Sequence, residues 1–253
     1  MSQEVEARIA RDRRYFESLK HKYVGQRGFV IGNGPSLKID DLDRLRGEIC
    51  IASNKIFLAF DQTGWRPSFF TVADPLVWDK IKDIVGESIR TVIIPHYLPD
   101  CEACTAEVKT VRCLGNAPDL AAGTDEVLFS DDFSVGSFGG YTVTYENIQL
   151  AVHLGLNPIY IIGCDHYYEG ERDVVANQTV AAPPTSNHFV KDYRAPGEIV
   201  YAAPIEQMNQ SYAMAHKFAA ARGVSLMNAT RGGFLEAFPR VDFDEVVSSA
   251  GSR

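Results

Sequence analysis

The stretch from Phe29 to Leu37, FVIGNGPSL, joins an apolar run directly to a glycine-rich turn. Together with Gly28, its first residues form a short apolar run that predicts a buried strand. The segment from Gly32 to Ser36 then predicts a tight turn, and the polar stretch beyond it, to about Arg46, predicts a helix. A strand, a tight turn and a helix in this order are typical of a parallel α/β sheet.

The turn itself has the chemistry of an anion-binding loop. Two glycines let the backbone approach a ligand closely, Pro35 suits the first position of a helix, and free N–H groups at a helix start attract an anion. No Gly-Lys-Ser/Thr sequence follows, so it is not a Walker loop, and the full GxGxxG fingerprint is absent. We therefore predict that this turn holds the phosphate of a nucleotide or a comparable anion.

The same pattern returns along the chain. Apolar runs at Ile49–Ala52, Ser68–Val72, Thr91–Ile94 and Ile159–Ile162 predict buried strands, and the last follows a helix predicted over Thr142–Leu154. Polar residues stand at or just beyond the strand ends: Asn33, Asn54, Asp74, His96, Asp165 and Asn228. In an open parallel sheet, ligands bind beyond the carboxyl ends of the strands, so we expect one crevice to collect these side chains. Turn and helix-cap preferences alone would also place such residues there.

The predicted fold class is therefore α/β, with a Rossmann-like, mostly parallel sheet flanked by helices. Residues 1–24 predict an amphipathic N-terminal helix, a candidate contact for a homo-oligomer. Residues 25–253 predict a single Rossmann-like domain that binds a nucleotide or a comparable anion, and it includes a last helix over Ile205–Ala221 and a strand at Ser225–Met227. Within it, residues 169–201 are polar and rich in proline, as expected of a long lid-type loop.

Composition limits the class of partner. The chain has 253 residues, of which 45% are hydrophobic and 23% charged, with a formal net charge of -8. This charge argues against broad nucleic-acid binding, which needs a basic face, so we expect a small-molecule partner. No apolar run approaches the roughly 18 to 20 residues of a membrane span, and the N-terminus lacks the apolar core of a signal peptide. We expect no membrane span and a cytoplasmic location.

The cysteines raise the question of a metal site. There are five, and Cys50 and Cys164 lie in or beside apolar runs where a small hydrophobic residue fits. The others could join His96 in a zinc site; they are Cys101, Cys104 and Cys113. Because their spacing is irregular and no second CxxC exists, plain loop thiols are the better interpretation, and we predict no metal there. Residues 98–135, which contain them, predict a loop with short helices.

The order of these motifs resembles the family named for 6-hydroxymethylpterin diphosphokinase, which includes the motility-accessory-factor flagellin glycosyltransferases. It is also similar to the bacterial lipooligosaccharide sialyltransferases. The motifs are, in chain order, the strand with GNGPSL, Asn54, Asp74, Gly163-Cys164-Asp165, Asn187-His188-Phe189, and Asn228-Ala229-Thr230 with Gly232-Gly233. The resemblance spans about residues 25 to 243.

The resemblance implies a metal-independent transfer of a nonulosonic acid from a CMP-activated donor to a hydroxyl of a glycan or protein, as in polysaccharide biosynthesis. It implies two catalytic residues, His188 as general base and Asp165. The implied nucleotide-binding residues are Gly32, Asn33, Gly34, Pro35, Ser36, Asn54, Asp74, Gly163, Cys164, Tyr167 and Tyr168. Asp74 stands where the sialyltransferases have asparagine. Their arginine and serine before the helix are matched only loosely, by Ser137 and Gly139-Gly140.

Two other functions fit the same residues. A pterin diphosphokinase would transfer pyrophosphate from ATP with Mg²⁺ positioned by Asp74 and Asp165, whereas the glycosyltransferase requires no cofactor. The third alternative is a non-catalytic nucleotide-binding module.

Several candidate residues have a second interpretation. His188 also fits a polar loop residue, and His166 fits either a second base or a loop cap. Tyr193 and Arg194 fit an anion site or a solvated loop. His153, inside a predicted helix, is interpreted as a packed histidine.

Overall fold

The computed structural model describes residues 1–101, 103–168, 178–183, 187–195 and 197–249. The strands are β1 (Gly28–Ile31), β2 (Ile49–Ser53), β3 (Phe69–Thr71), β4 (Thr91–Pro95), β5 (Glu107–Val111), β6 (Cys113–Asn116), β7 (Ser137–Gly139), β8 (Ile159–Ile162), β9 (Thr179–Ala181), β10 (Ile199–Tyr201) and β11 (Leu226–Asn228). The helices are α1 (Gln3–Leu19), α2 (Ile39–Arg44), α3 (Pro75–Ile81), α4 (Ala117–Leu120), α5 (Val143–His153), α6 (Ile205–Ala221) and α7 (Phe243–Ser248).

Seven strands form one parallel sheet in the order β11-β8-β1-β2-β3-β4-β5. Gly28 of β1 is in register with Ile49 on one side and with Ile159 on the other. The chain runs from β1 outward to β5 and later returns to add β8 and β11 on the opposite side of β1. The predicted α/β fold is confirmed, and the switch point of the sheet lies between β1 and β8.

Helices cover both faces of the sheet. Val30 and Ile51 belong to the apolar core that also contains residues of α1, α5 and α6. Phe29 and Ile31 belong to a second core with residues of α2, α3 and α7. Because side chains alternate between two buried faces, each central strand appears in the sequence as a continuous apolar run. This explains why the strand predictions hold to within one or two residues.

The helix after the glycine-rich turn starts later than predicted. Pro35 is not the first residue of a helix, because α2 begins at Ile39 with Lys38 as its N-cap. Gly34 to Leu37 instead forms a turn in which the Leu37 N–H donates to the Gly34 carbonyl at 3.1 Å. The prediction that a helix begins at this turn is therefore wrong, and α2 has only six residues. Anion binding by the turn itself stays a prediction.

Residues 98–135 contain more structure than the predicted loop, namely β5, β6 and α4. The strand β5 is the edge of the large sheet, where charged residues replace the apolar run typical of the central strands. Helix α1 packs against this edge, and the fully buried Asp12 carboxylate accepts the Thr110 N–H at 2.9 Å. A helix thus covers the sheet edge, which protects it from pairing with other chains.

The predicted lid, residues 169–201, lies in part outside the described residues. Its described portions contain β9 and β10, which pair as a small antiparallel sheet, and a short helical turn at Lys191–Tyr193. The division into an N-terminal helix and one catalytic domain stays a prediction, although α1 does occupy the predicted segment. None of the helices in the described part of the chain combines the length and the apolar character needed to cross a membrane.

Candidate functional site

A cavity of about 520 Å³ opens at the carboxyl edge of the sheet, above the switch point between β1 and β8. Its walls come from the loops after β1, β2, β3, β4 and β8, from the start of α5, and from the segment that carries His188. This volume falls within the range of about 300–1,000 Å³ that is usual for small-molecule sites.

Most of the predicted site residues line this cavity. They are Gly32, Asn33, Gly34, Asn54, Asp74, Gly163, Cys164, Asp165, Tyr167, Tyr168 and His188. Pro35 and Ser36 do not line it, and neither do the strand-end residues His96 and Asn228. The arrangement brings the strand ends and the loop together, while the binding and catalytic roles of these residues stay predictions.

The glycines of the turn are needed because two backbone segments meet there. A Cβ on Gly32 would lie 2.4 Å from the Gly163 carbonyl oxygen, and the Gly34 N–H donates to that same oxygen at 2.8 Å. Gly163 itself has φ +65, a conformation that favours glycine. The close approach therefore joins the end of β1 to the end of β8, which fixes the floor of the cavity.

Asp165 contacts the turn that we predicted to hold a ligand. Its carboxylate accepts the Ser36 hydroxyl at 2.8 Å and the Ser36 N–H at 3.3 Å. Burial raises the pKa of Asp165, while the bonds from Ser36 act against this shift. Ser36 thus positions Asp165, and this N–H is already paired within the chain.

Three buried polar atoms of the cavity lining have no hydrogen-bond partner among the described residues: Asn33 Oδ1, Asn54 Oδ1 and His166 Nδ1. Each unpaired buried group costs about 1–3 kcal/mol, so these atoms favour a polar ligand or water in the cavity. Asn54, His166 and Tyr141, which all line the cavity, also have positive φ angles of 58, 53 and 59°, respectively. Such strained residues cluster at functional sites.

The helix end that faces the cavity belongs to α5, which has 11 residues. Thr142, Val143 and Thr144 line the cavity, and the Thr142 hydroxyl caps the helix by accepting the Thr144 N–H at 3.3 Å. The N-terminus of a helix carries a partial positive charge and attracts anions. An anionic ligand in the cavity would therefore contact the N-terminus of α5 rather than that of α2.

Asp74 caps a different helix. Its carboxylate accepts the N–H groups of Leu76 and Val77 at 2.7 and 3.2 Å, at the start of α3. Burial raises the pKa of Asp74, and these two hydrogen bonds act in the opposite direction. Asp74 lines the cavity, but its Oδ1 atom is engaged as a helix cap.

The segment with His188 is attached to the turn. The Phe189 N–H donates to the Asn33 carbonyl at 3.0 Å, and the His188 ring stacks on Tyr193 with 3.8 Å between ring centroids. Burial, together with the charges of Arg194 and Lys55, lowers the pKa of His188 to about 3. His188 is therefore neutral at any ordinary pH, which makes it a weak base.

Glu198 holds the same segment to the domain. Its carboxylate pairs with Lys80 at 2.6 Å and with Lys55 at 3.3 Å, and Lys55 also donates to the Tyr193 carbonyl at 2.7 Å. Although burial acts to raise it, these lysines lower the pKa of Glu198 to about 2. The carboxylate stays charged, so the anchor persists across the physiological pH range.

Sequence reasoning did not assign to the cavity a second group of lining residues, which includes Tyr97, Cys113, Glu146 and Tyr201. Glu146 lies in the first turn of α5, where a glutamate is ordinarily explained by the helix dipole. Burial raises the pKa of Glu146 to about 8. No pattern in the sequence distinguishes this glutamate, because its burial depends on how α5 meets the loops after β4 and β5.

Several polar residues near the site are structural. Gln149 of α5 is fully buried and bonds to the backbone of Ser130, Phe138 and Tyr145. His153 is also fully buried; its Nε2 donates to the Phe16 carbonyl at 2.9 Å, because its Nδ1 accepts the Phe133 N–H. The interpretation of His153 as a packed histidine is confirmed.

Asn228 is a structural residue as well. Its side-chain amide donates to the Leu235 carbonyl at 2.7 Å and accepts the Thr230 N–H at 2.9 Å. These two bonds hold the turn after β11 at the side of the sheet. Asn228 is therefore explained by the local backbone, without a ligand.

Within the described part of the chain, no group of three or more histidine, cysteine, aspartate or glutamate side chains is arranged to hold a metal ion. All five cysteines are free. His96 uses its Nδ1 to accept the Cys113 N–H at 2.8 Å, so this atom has a structural partner.

A family model described as 6-hydroxymethylpterin diphosphokinase MptE-like matches residues 7–171. Among solved structures, the MAf glycosyltransferase from Magnetospirillum magneticum AMB-1 is similar, with a TM-score of 0.52 and 16% sequence identity. The match covers 95% of this chain and 39% of that chain, so this chain spans well under half of that protein. At this identity the likeness shows a shared fold. A search of curated proteins gives no significant match.

Proposed function

This chain belongs to the 6-hydroxymethylpterin diphosphokinase MptE-like family, and from this premise we propose that it is a glycosyltransferase whose cavity binds a nucleotide-activated sugar. The donor that we propose is a CMP-linked nonulosonic acid, and the acceptor is a hydroxyl group of a glycan or protein. The fold shared with a MAf glycosyltransferase supports glycosyl transfer. The resemblance to sialyltransferases in the GNGPS turn, Asn54 and His188 supports the choice of donor.

The observation that carries the proposal is the pair of unpaired amide oxygens, Asn33 Oδ1 and Asn54 Oδ1, in the described part of the cavity wall. An amide oxygen accepts hydrogen bonds from amino and hydroxyl groups, which a nucleoside offers on its base and ribose. The start of α5 supplies the complementary attraction for a phosphate. A nucleotide satisfies both kinds of group at once.

The transfer needs a stabilised leaving group and a base. In the proposed reaction, the N–H groups at the start of α5 and the hydroxyls of Tyr167 and Tyr168 stabilise the leaving phosphate. Asp165, held by Ser36, positions the turn against the donor. His188 as general base stays a prediction, and its neutral, stacked ring also suits contact with the donor.

The family description favours a second candidate, pyrophosphate transfer from ATP. In that reaction Asp74 and Asp165 would hold Mg²⁺. Asp74 Oδ1 caps α3 and Asp165 Oδ2 accepts hydrogen bonds from Ser36, so one oxygen of each carboxylate is already engaged within the chain. We therefore favour glycosyl transfer over the kinase and over a non-catalytic binding module.

A thermal-shift panel tests the proposal. CMP, CDP, UDP, GDP and ATP are each added with and without Mg²⁺, and we expect CMP to raise the melting temperature without Mg²⁺. A ligand present at a hundred times its Kd raises the free energy of unfolding by about 2.7 kcal/mol. For a chain of this size, this corresponds to a rise of several degrees in melting temperature.

A variant of the cavity wall serves as the control for this panel. Asn54→Gly keeps the positive φ of this position and removes the amide oxygen, so it should lose most of the shift with CMP. A shift with ATP and Mg²⁺ alone would support the kinase, and no shift with any nucleotide would refute the central claim.

A further inference from the structure

Glu146 is a cavity residue without a role in the proposed nucleotide contacts. It lies in the first turn of α5, one turn before Gln149, and its carboxyl group borders the cavity. No hydrogen bond or ion pair engages this carboxyl among the residues that the structure describes, and burial alone raises its pKa to about 8. Glu146 is half-buried, so its unpaired carboxyl is open to a ligand in the cavity, and a carboxyl group with a raised pKa in a cleft is typical of a functional site.

The surroundings of Glu146 are aromatic and neutral. Tyr97 and Cys113 lie close to it, and Tyr97 lies close in turn to Asp74 and Tyr201. We call Tyr97, Cys113, Glu146 and Tyr201 the aromatic half of the cavity. Tyr97 and Tyr201 keep 49% and 37% of their surfaces exposed at the cavity rim. Exposed aromatic rings next to a polar group suit the apolar face and hydroxyl edge of a sugar ring.

The aromatic half is distinct from the wall that carries the unpaired asparagines. Asn33 and Asn54 follow β1 and β2, whereas Tyr97 follows β4 and Cys113 belongs to β6. The two sides of the cavity therefore offer different chemistry, with amide oxygens on one side and tyrosine rings on the other. The start of α5 lies in the same wall as Glu146, within one helical turn.

We propose that Glu146 is the general base of the transfer reaction and removes the proton from the acceptor hydroxyl held in the aromatic half. This inference rests on the proposed function and adds a catalytic residue to it. The acceptor oxygen forms a bond to the anomeric carbon of the donor, and its proton passes to the Glu146 carboxylate. The bond from that carbon to the phosphate oxygen breaks, and its electron pair leaves with CMP.

Glu146 suits this task better than His188 does. A general base is most effective when its pKa lies near the working pH, and this holds for Glu146 and not for His188, with its pKa of about 3. Burial raises the pKa of Cys113, and an ordinary tyrosine ionises only at about pH 10, so neither Cys113 nor Tyr97 ionises while Glu146 titrates. The other charged side chains of the described lining are Asp74, Asp165 and Arg194, two of which have raised pKa values as well.

The test is the pH dependence of CMP release from CMP-N-acetylneuraminic acid by the full chain, with water as acceptor. For the unmodified protein we expect a rate that rises with pH and levels off above a midpoint near 8. Glu146→Gln should lower the plateau rate by roughly 100- to 1,000-fold and abolish this pH dependence, while CMP binds within twofold of the unmodified protein. Glu146→Asp should recover part of the rate, and Glu206→Gln, an exposed glutamate in the first turn of α6, should change nothing.

A stability measurement shows that the variant is folded. The folded pKa of Glu146 lies above its unfolded value of 4.5, so its contribution to stability declines as the pH rises from about 4.5 to 8. Glu146→Gln removes this decline and should melt at a higher temperature than the unmodified protein at pH 8.

The outcomes separate the two proposals. If the unmodified protein releases CMP and Glu146→Gln does so at the same rate and with the same pH profile, Glu146 is not the base. A flat profile between pH 5 and 9, with a rate that His188→Ala alone abolishes, would assign the role to His188. If the unmodified protein neither binds CMP nor releases it, the proposed function has failed, and the role of Glu146 fails with it.

Discussion

Replacing Gln149 with methionine is expected to lower the free energy of unfolding by about 4 kcal/mol, because several buried hydrogen bonds disappear together. Its Oε1 accepts the N–H groups of Ser130 and Phe138, both at 3.0 Å. Its Nε2 donates to the carbonyls of Phe138 and Tyr145 at 2.8 and 3.2 Å. Methionine has a similar length but offers no replacement donor, so buried backbone groups are left unpaired.

Chemical denaturation at constant pH measures this change. Gln62→Met is the matched control, because Gln62 is exposed at the surface; we expect a change within about 0.5 kcal/mol. Phe138 precedes two glycines of the cavity wall, Gly139 and Gly140, so Gln149→Met should also weaken the shift with CMP. A loss of less than about 1 kcal/mol would show that the surrounding loop repacks, and that Gln149 does not fix it.

The second large effect is expected for Gly32→Ala. The new methyl group would lie 2.4 Å from the Gly163 carbonyl oxygen and 2.6 Å from the Cys164 sulfur. One of these neighbours is backbone, so the ends of β1 and β8 would have to separate. Overpacking of this kind lowers the free energy of unfolding by about 1–3 kcal/mol. We expect a loss at the upper end of this range, together with loss of nucleotide binding.

Gly123→Ala separates backbone strain from steric conflict. Gly123 has φ +77, and a Cβ added there would meet nothing within 4 Å among the described residues. Alanine at this position should therefore lower the free energy of unfolding by about 1–2 kcal/mol, through backbone strain alone. Gly32 is not among the glycines with positive φ, so its penalty arises from contact with the segment after β8. Equal losses for the two variants, with CMP binding retained in both, would contradict the role of Gly32 in joining the strands.

The central strands were predictable because both faces of the sheet are covered. This condition makes strands such as β1 and β8 apolar at every position, so the sequence shows them as short uninterrupted runs. The edge strand β5 follows another rule, since charged residues protect an edge from pairing. β5 could not be predicted from the sequence because its charged residues interrupt the apolar run. It also depends on Asp12, which lies nearly a hundred residues earlier in the chain.

The site was predictable only where the topology alone places residues. Parallel strands end on one side, so Asn33, Asn54 and Asp165 had to lie near one another. The partners of these residues could not be predicted in the same way. The bond from Ser36 to Asp165 depends on the distance between two segments that are more than a hundred residues apart in the chain. The isolation of the Glu146 carboxyl, within the described part of the chain, depends on how the start of α5 is placed among the loops.

The hydrogen bond from the Phe189 N–H to the Asn33 carbonyl has a practical consequence. This amide joins the segment that carries His188 to the turn after β1, both of which border the cavity. Its hydrogen can exchange with deuterium only when the two segments part, so the exchange rate of this amide reports how often the cavity opens. Saturating CMP should slow the exchange of the Phe189 amide and leave the exchange of amides in β5 unchanged. Equal slowing at both places would indicate global stabilisation instead.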